Sequence, residues 1–575
     1  AYIDNETTGT PREVLVNASG NWWGTFDAAA LSAGVTAGSD YTPWLASGTD
    51  TDADLAGFQG DFSILYVDDD SFQVGTVGRI QEAVNMVSGS TIYVLPGTYA
   101  EQIVIDKALT LQGPNADKAG YATDRGAEAI VTFPAGITTL DERLVRIEAD
   151  DVTILGMNFE YGEHMIGLRP QLLRVIDAGD VTIKNNRFFG GEVAVGTTVS
   201  GGAYYSGLVI EDNYINGGPF ANSAYNRGLY IWNTAATIKN NVVDSTAIGF
   251  QIMPYNEPLG GLVEGNTVNA VMWPLYINQH QGDSGEWVYQ NNTLGVAGMN
   301  REGLETQVHT QLPLNSARNH YAVYFNAFGT TAATAAPSVR IEGNFMDPTR
   351  PAGTSYPSRI HFLSFANSLT GSGNPQVLML NNSINGYPRG SGGTPARIHL
   401  NASGNWWGTT DQATIQSRAG GATADYSPWL ASGTDTDTAA PGFQGDFSTL
   451  YVAAQGQHFG SAVGRIQEAI DMVSGSTIYV LPGTYQEAVV VDKAVNLYGP
   501  NMDVDPNGTV ARGAEAIILG STTAPEMSTL FELDAENVVV KGFTFDNVRI
   551  NNYIDGGATG TLTNQFGGVD ISNNI

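Results

Sequence analysis

The sequence predicts an all-β fold in which parallel strands follow one another as coils of a tube. Three observations carry that prediction. Only 15% of the 575 residues are charged, while Gly (69 residues) and the strand formers Val, Ile and Thr are abundant, which suits a turn-rich β protein. An alternating apolar strand followed by Asn recurs at "VTIKNNRF" (181–188), "LVIEDNYI" (208–215), "ATIKNNVV" (236–243), "GLVEGNTV" (261–268), "WVYQNNTL" (287–294), "VRIEGNFM" (339–346) and "VLMLNNSI" (377–384). The asparagines are Asn186, Asn213, Asn241, Asn266, Asn292, Asn344 and Asn382, with steps of 27, 28, 25, 26, 52 and 38 residues; 52 is twice 26. Finally, no helical periodicity lies between these strands. They therefore read as successive coils, with parallel neighbours about 4.8 Å apart along an axis.

In such a tube the period-2 apolar residues fill the interior. Asn suits the corner because its short amide tolerates left-handed backbone and can bond to the same amide one coil away. "VTILGMNF" (152–159) fits one coil earlier, with Met157 in the Asn place. Ahead of the coils, Val77, Ile80, Val84 and Val87 recur at helical spacing, so a short amphipathic helix is expected to cover the first open edge.

A second, longer repeat sets the domain organisation. "NASGNWWGT" occurs at 17–25 and 401–409, and "VGRIQEAVNMVSGSTIYVLPGTY" (77–99) recurs at 463–485 with two conservative changes. "YTPWLASGTDTD" (41–52) recurs as "YSPWLASGTDTD" (426–437). The period is about 385 residues, the size of a domain rather than of a solenoid repeat. The chain is accordingly divided into 1–24, the last coil of a preceding module, and 25–76, a linker. A complete module at 77–408, a second linker at 409–462 and the opening of a further module at 463–575 follow. Asn405 is expected to be the last corner, with Trp22, Trp23, Trp406 and Trp407 capping the C-terminal ends; a sugar-stacking platform is the functional alternative for the paired rings.

Together, "GRIQEAVNMVSGSTIYVLPGTYAEQIVIDKALTLQGPN", the strand–Asn coils and the "NWWG…YTPWL" closure resemble right-handed parallel β-helix domains of the pectin-lyase-like superfamily. The likeness is to NosD-like modules of giant, repetitive bacterial cell-surface proteins. That resemblance implies the fold over nearly the whole chain, and says little about function, because this fold hosts lyases, glycosidases, tailspikes, adhesins and filaments.

Composition narrows the functional classes. With 26 basic and 58 acidic residues the formal charge is −32, which disfavours nucleic acid and anionic membranes as partners. There is no Cys, so disulfides and Cys-based zinc sites are excluded. No run of 18 apolar residues spans a membrane. The "G-H-G" and "R-I-K" signatures of polygalacturonase-type enzymes are missing, and "GEH" (162–164) and "DSGE" (283–286) have no spacing that brings Glu163, His164, Asp283 and Glu286 together. No two of the seven histidines lie within ten residues of each other, which argues against the copper handling that NosD likeness suggests. Alternating Asp50, Asp52 and Asp54 in "GTDTDADLAG", retained later as Asp435 and Asp437, can present hard oxygens to Ca²⁺; a solvated acidic loop is the alternative. If Ca²⁺ binds Asp50, Asp52, Asp435 and Asp437, chelation should lower melting and raise protease sensitivity at the joints.

These readings lead to an expectation of a non-enzymatic structural segment of a giant extracellular protein. Tandem β-helices would form a rod or filament at the cell surface, for adhesion or architecture, with copies or modules joined head to tail. At about 26 residues per coil, 77–408 should be about 60 Å long. The alternatives are a carbohydrate-active β-helix enzyme, a lyase or glycosidase, or a carbohydrate-binding array recognising surface glycans.

Overall fold

The computed structural model describes residues 16–35, 39–165, 167–219, 226–255, 257–280, 285–296, 322–327, 338–347, 376–384, 399–419, 424–456, 458, 463–520, 530–552 and 569–575. Two compact units divide the chain. The first holds residues 1–287, 294–328 and 350–355; the second holds 288–293, 329–349 and 356–575.

In the first unit each coil consists of three short strands with sharp corners between them. One face stacks Thr91–Val94, Leu109–Gln112, Val152–Leu155, Thr182–Lys184, Tyr205–Glu211, Thr234–Lys239 and Gly261–Glu264, all parallel. Its inward row is Ile92, Leu111, Ile154, Ile183, Ile210, Ile238 and Val263, each one coil above the last and buried. A second face stacks Gly97–Ala100, Ala129–Thr132, Asn158–Glu160, Arg187–Phe189 and Tyr214–Asn216. A third stacks Ile103–Ile105, Arg143–Ile147, Gln171–Ile176, Val193–Thr198 and Arg227–Trp232, continuing into Val242–Met253, Thr267–His280 and Val323–Ala327. This is the expected parallel β-helix, with the period-2 apolar positions lining the inside because a one-residue slip would expose them all.

The corner asparagines form ladders. Each Oδ1 accepts both the backbone N–H and the Nδ2–H of the Asn one coil before, at 2.8–3.2 Å, through Asn186, Asn213, Asn241 and Asn266. In the second unit the same bonds run through Asn292, Asn344, Asn382 and Asn405. Met157, one coil earlier, donates its backbone N–H to Asn186 Oδ1. The left-handed backbone, however, falls on the residue before each ladder Asn: Asn185, Asp212, Asn240, Gly265, Asn291, Gly343, Asn381 and Gly404 all have φ between 54° and 68°. The corner thus uses two residues. The first turns the chain, as Asn, Asp and Gly can at low steric cost, and the second turns its amide inward.

The entrance helix is Arg79–Met86, with Ile80, Ala83 and Val84 buried; Val77, assigned to it from spacing, lies before it and is exposed. Its later copy is Arg465–Met472. The stretch 409–462, read as a linker, is structured where described. It carries the helix Gln412–Arg418 and the strand Ala424–Asp425, which pairs parallel with His399–Asn401. Trp429–Leu430 then pairs antiparallel with Thr449–Val452, and that strand starts the next parallel stack at Thr477–Val480. Among the described residues, no helix is long and apolar enough to cross a membrane.

Candidate functional site

The third face of the first unit gathers cations that the sequence scatters. Parallel register places Arg146, Arg174, Gly196, Tyr230, Gln251 and Tyr276 in one outward row, each one coil from the next. An adjacent row holds Arg143, Gln171, Val193 and Arg227. With Arg169 nearby, five of the chain's 26 basic residues converge on two adjoining depressions in a strongly acidic protein.

The guanidiniums are held by specific contacts. Arg174 Nε donates to Thr198 Oγ1 at 2.6 Å, and its guanidinium carbon lies over the Tyr230 ring, 5.1 Å from the centroid. Arg227 lies over the same ring at 5.2 Å and donates to Gln251 Oε1. Such stacking favours Arg, whose planar cation is weakly hydrated. Between Arg174 and Tyr230 the register position is Gly196, where an added Cβ would stand 2.3 Å from Arg174 Nη1. Glycine here clears the path that Arg174 takes across a coil.

Burial sets the proton affinities. Desolvation, reinforced by Arg143 and Arg227, pushes Arg174 down to about 10, with Tyr230 opposing. Glu192, at the wall of the depression, is raised by its burial, while Arg169 (3.8 Å away) and Arg227 act the other way. Two buried polar atoms here, Arg143 Nε and Gln171 Oε1, have no hydrogen-bond partner. Aromatic rings continue the face: Trp232 is exposed and packs edge-on to Tyr230, and Trp273 packs edge-on to Tyr276. Cations, aromatic faces and unfilled polar atoms together suit an anionic, ring-containing ligand.

None of these arginines belongs to a spaced motif. The available signal was alignment of "RLVRI" (143–147), "QLLRVI" (171–176), "VAVGTT" (193–198) and "RGLYIW" (227–232) as stacked strands, which puts their basic residues in register.

The residues singled out from sequence are placed elsewhere. Asp50 Oδ1 accepts from the backbone of Asp52 and Gln59, and Asp435 Oδ1 from Asp437 and Gln444. Asp52 and Asp437 each accept from the residue two positions on, so all four carboxylates brace turns. Asp68, Asp69 and Asp70, which follow the strand Ile64–Val67, also lie close together, and Asp69 accepts from Thr98 N at 2.7 Å. Trp407 is fully buried and Trp22, Trp23 and Trp406 partly so; in the second unit the strand ladder runs on past the tryptophans instead of ending at them. His164 is tied to Pro134 O at 3.1 Å; Glu163 shares its single helical turn, and Asp283 lies outside the described residues.

No protein-family model and no curated protein matches the sequence. Solved structures do resemble it. A tailspike protein of Acinetobacter baumannii phage AM24 is 15% identical, over 64% of this chain and 60% of its own, with a TM-score of 0.35. The chain therefore spans about 60% of that tailspike's length. The pectin methylesterase from Aspergillus niger is 17% identical over 54% of this chain and 91% of its own, with a TM-score of 0.26. A mutant of the PL6-family alginate lyase AlyGC is 12% identical over 89% and 76%, with a TM-score of 0.28. All are parallel β-helix proteins, and the likeness is one of fold. It corrects one expectation. Because a pectin methylesterase and an alginate lyase are among the similar structures, the reading of this chain as non-enzymatic is withdrawn.

Proposed function

We propose that the arginine-bearing face of the first unit binds an acidic polysaccharide and acts on it, the carbohydrate-active alternative left open by the sequence. The observation that carries this reading is the pair of guanidiniums over Tyr230, beside the unpartnered Arg143 Nε and Gln171 Oε1. Guanidiniums bind carboxylates through paired, charge-assisted hydrogen bonds, and aromatic faces accept the apolar side of a sugar ring. Coils repeating along the row present such groups at strand spacing, about 4.8 Å, so that an extended chain meets several at once.

In the same reading, Glu192, raised by its burial, is the candidate proton donor at the wall of the depression, while Arg174 stays a cation and holds the anionic ligand. The 385-residue internal repeat further supports a tandem array of β-helix modules in an extracellular surface protein; the later copy has Glu532 in the register place of Arg146, so the arginine face belongs to the first unit.

Titration calorimetry with oligouronides and with neutral oligosaccharides of equal length tests the binding. The uronide should bind, and Arg174→Gln together with Arg227→Gln should weaken it about 100-fold, at roughly one decade per lost charged contact. Equal affinity for neutral sugar, or binding unchanged in the double variant, overturns the reading. Product analysis of the same mixtures separates binding alone from turnover.

A further inference from the structure

A second cluster lies in the other unit, on none of the residues used above. Asp425, His458 and Glu468 bring one ligand atom each within 4.8 Å of one another. Asp425 is completely buried and Glu468 is 8% exposed. Glu468 Oε1 accepts from Ser403 Oγ at 2.8 Å, and Oε2, also buried, is ion-paired with His458. Glu468 Oε2 and His458 Nε2 lie 3.4 Å apart. Two ligands bonded to one tetrahedral ion at about 2.1 Å lie about 3.4 Å apart, so that separation already suits a shared metal.

The earlier copy of the module serves as an internal comparison. There Glu82 Oε1 accepts from Ser19 Oγ at 2.7 Å, just as Glu468 does from Ser403, but Glu82 Oε2 accepts a hydrogen bond from Gln73 Nε2 at 3.1 Å. An amide closes the earlier site; an imidazole, which can ligate, stands in its place in the later one. Asp40 is likewise engaged in the earlier copy, accepting from Val74 N at 2.7 Å and Ser71 Oγ at 3.4 Å. Asp425 Oδ1 accepts from Arg465 Nη1 at 3.2 Å. Glu468 beside it raises the His458 imidazole, which lies on the exposed side of the cluster, so binding a metal there would release that proton.

We propose that Asp425, Glu468 and His458 form a structural site for a first-row divalent metal ion such as Zn²⁺. Two carboxylates and one imidazole are a borderline donor set, suited to Zn²⁺ and its neighbours more than to Ca²⁺, which takes six to eight oxygens. Asp425 lies on the strand Ala424–Asp425 that follows the last Asn corner, and Glu468 lies on the entrance helix Arg465–Met472. The ion would tie the end of one coil stack to the start of the next. Because the metal binds only the folded site, it raises stability as its concentration exceeds Kd.

Calorimetry and thermal melting of the metal-free full chain with Zn²⁺ test this, with Co²⁺ absorption as an independent readout. One Zn²⁺ should bind per chain, raise Tm and resist displacement by excess Ca²⁺. Co²⁺ should give the intense visible bands of a low-coordinate site. His458→Gln, which reproduces the earlier copy, should lose about 100-fold in affinity while keeping its circular dichroism. Absence of stoichiometric binding overturns the proposal and leaves His458 and Glu468 as a simple ion pair. Binding unchanged in His458→Gln overturns it equally. Should that variant not fold, the Co²⁺ spectrum of the unaltered chain decides: weak octahedral bands count against the site.

Discussion

At the scale of single residues, the Asn ladders show how one side chain can satisfy several buried groups at once. Asn213 Oδ1 accepts from Asn186 N and Nδ2, and Asn213 Nδ2 donates to Ile183 O at 2.8 Å. Asn213→Ala would strand these partners inside the tube. At 1–3 kcal/mol for each buried group left unsatisfied, the loss should be about 4 kcal/mol. Chemical denaturation of the variant checks this, and a loss near 1 kcal/mol would mean that water or a shifted strand replaces the amide. The ladder Asn positions were legible in sequence, because each closes an apolar strand. Their φ angles were not: the left-handed residue is the one before, as at Asn185 and Asp212. The one-letter pattern "NN", "DN" or "GN" shows that a corner is present without saying which residue turns.

At the scale of an element, the entrance helix Arg79–Met86 shows a cap supplied from a distance. Its N-cap, Gly78, has no side chain to offer, and the Glu101 carboxylate, which follows the strand Gly97–Ala100, accepts from Ile80 N and Gln81 N at 3.0 and 2.9 Å. The fit is close, since a Cβ on Gly78 would meet Glu101 Oε2 at 2.2 Å. Glu487 does the same for Ile466 and Gln467 in the later copy. Glu101→Ala should cost about 1 kcal/mol, the usual effect of losing an N-cap.

The pH dependence of that cap has a definite sign. Burial raises the Glu101 carboxyl above its ordinary 4.5, with the Gln81 and Ile80 amides opposing. A raised carboxyl stabilises the fold fully below the unfolded value, and that contribution is lost as pH rises through the folded one. Glu101→Gln cannot ionise, so unaltered protein should lose stability relative to this variant as pH climbs above 4.5. Melting curves of both proteins between pH 4 and 8 read the trend, and parallel curves would contradict it.

At the scale of the whole molecule, the charge of −32 and the local arginine face act in opposite directions on an anionic ligand. Long-range repulsion slows encounter and is screened beyond a Debye length of about 10 Å at 0.1 M salt, whereas contacts inside the depression are screened less. The association rate for an acidic oligosaccharide should therefore rise with ionic strength between 10 and 150 mM, as measured by stopped flow. A rate that falls with salt would mean that the arginine field dominates at a distance.

Two properties of this protein were determined by sequence alone. The period-2 strands ending in Asn at 25–28-residue steps dictated stacked coils, because only that winding buries every apolar face and pairs every amide. The 385-residue self-match dictated a repeated module. Tertiary structure alone decided where chemistry gathers. Arg143, Arg174 and Arg227 are far apart in sequence and meet only because parallel register stacks their strands. Asp425, His458 and Glu468 meet because a strand beyond the tryptophans and the next entrance helix fold onto one another. Periodicity is a local property that the chain displays residue by residue. A constellation of side chains depends on coil length and register, which are set by the summed packing of all the coils.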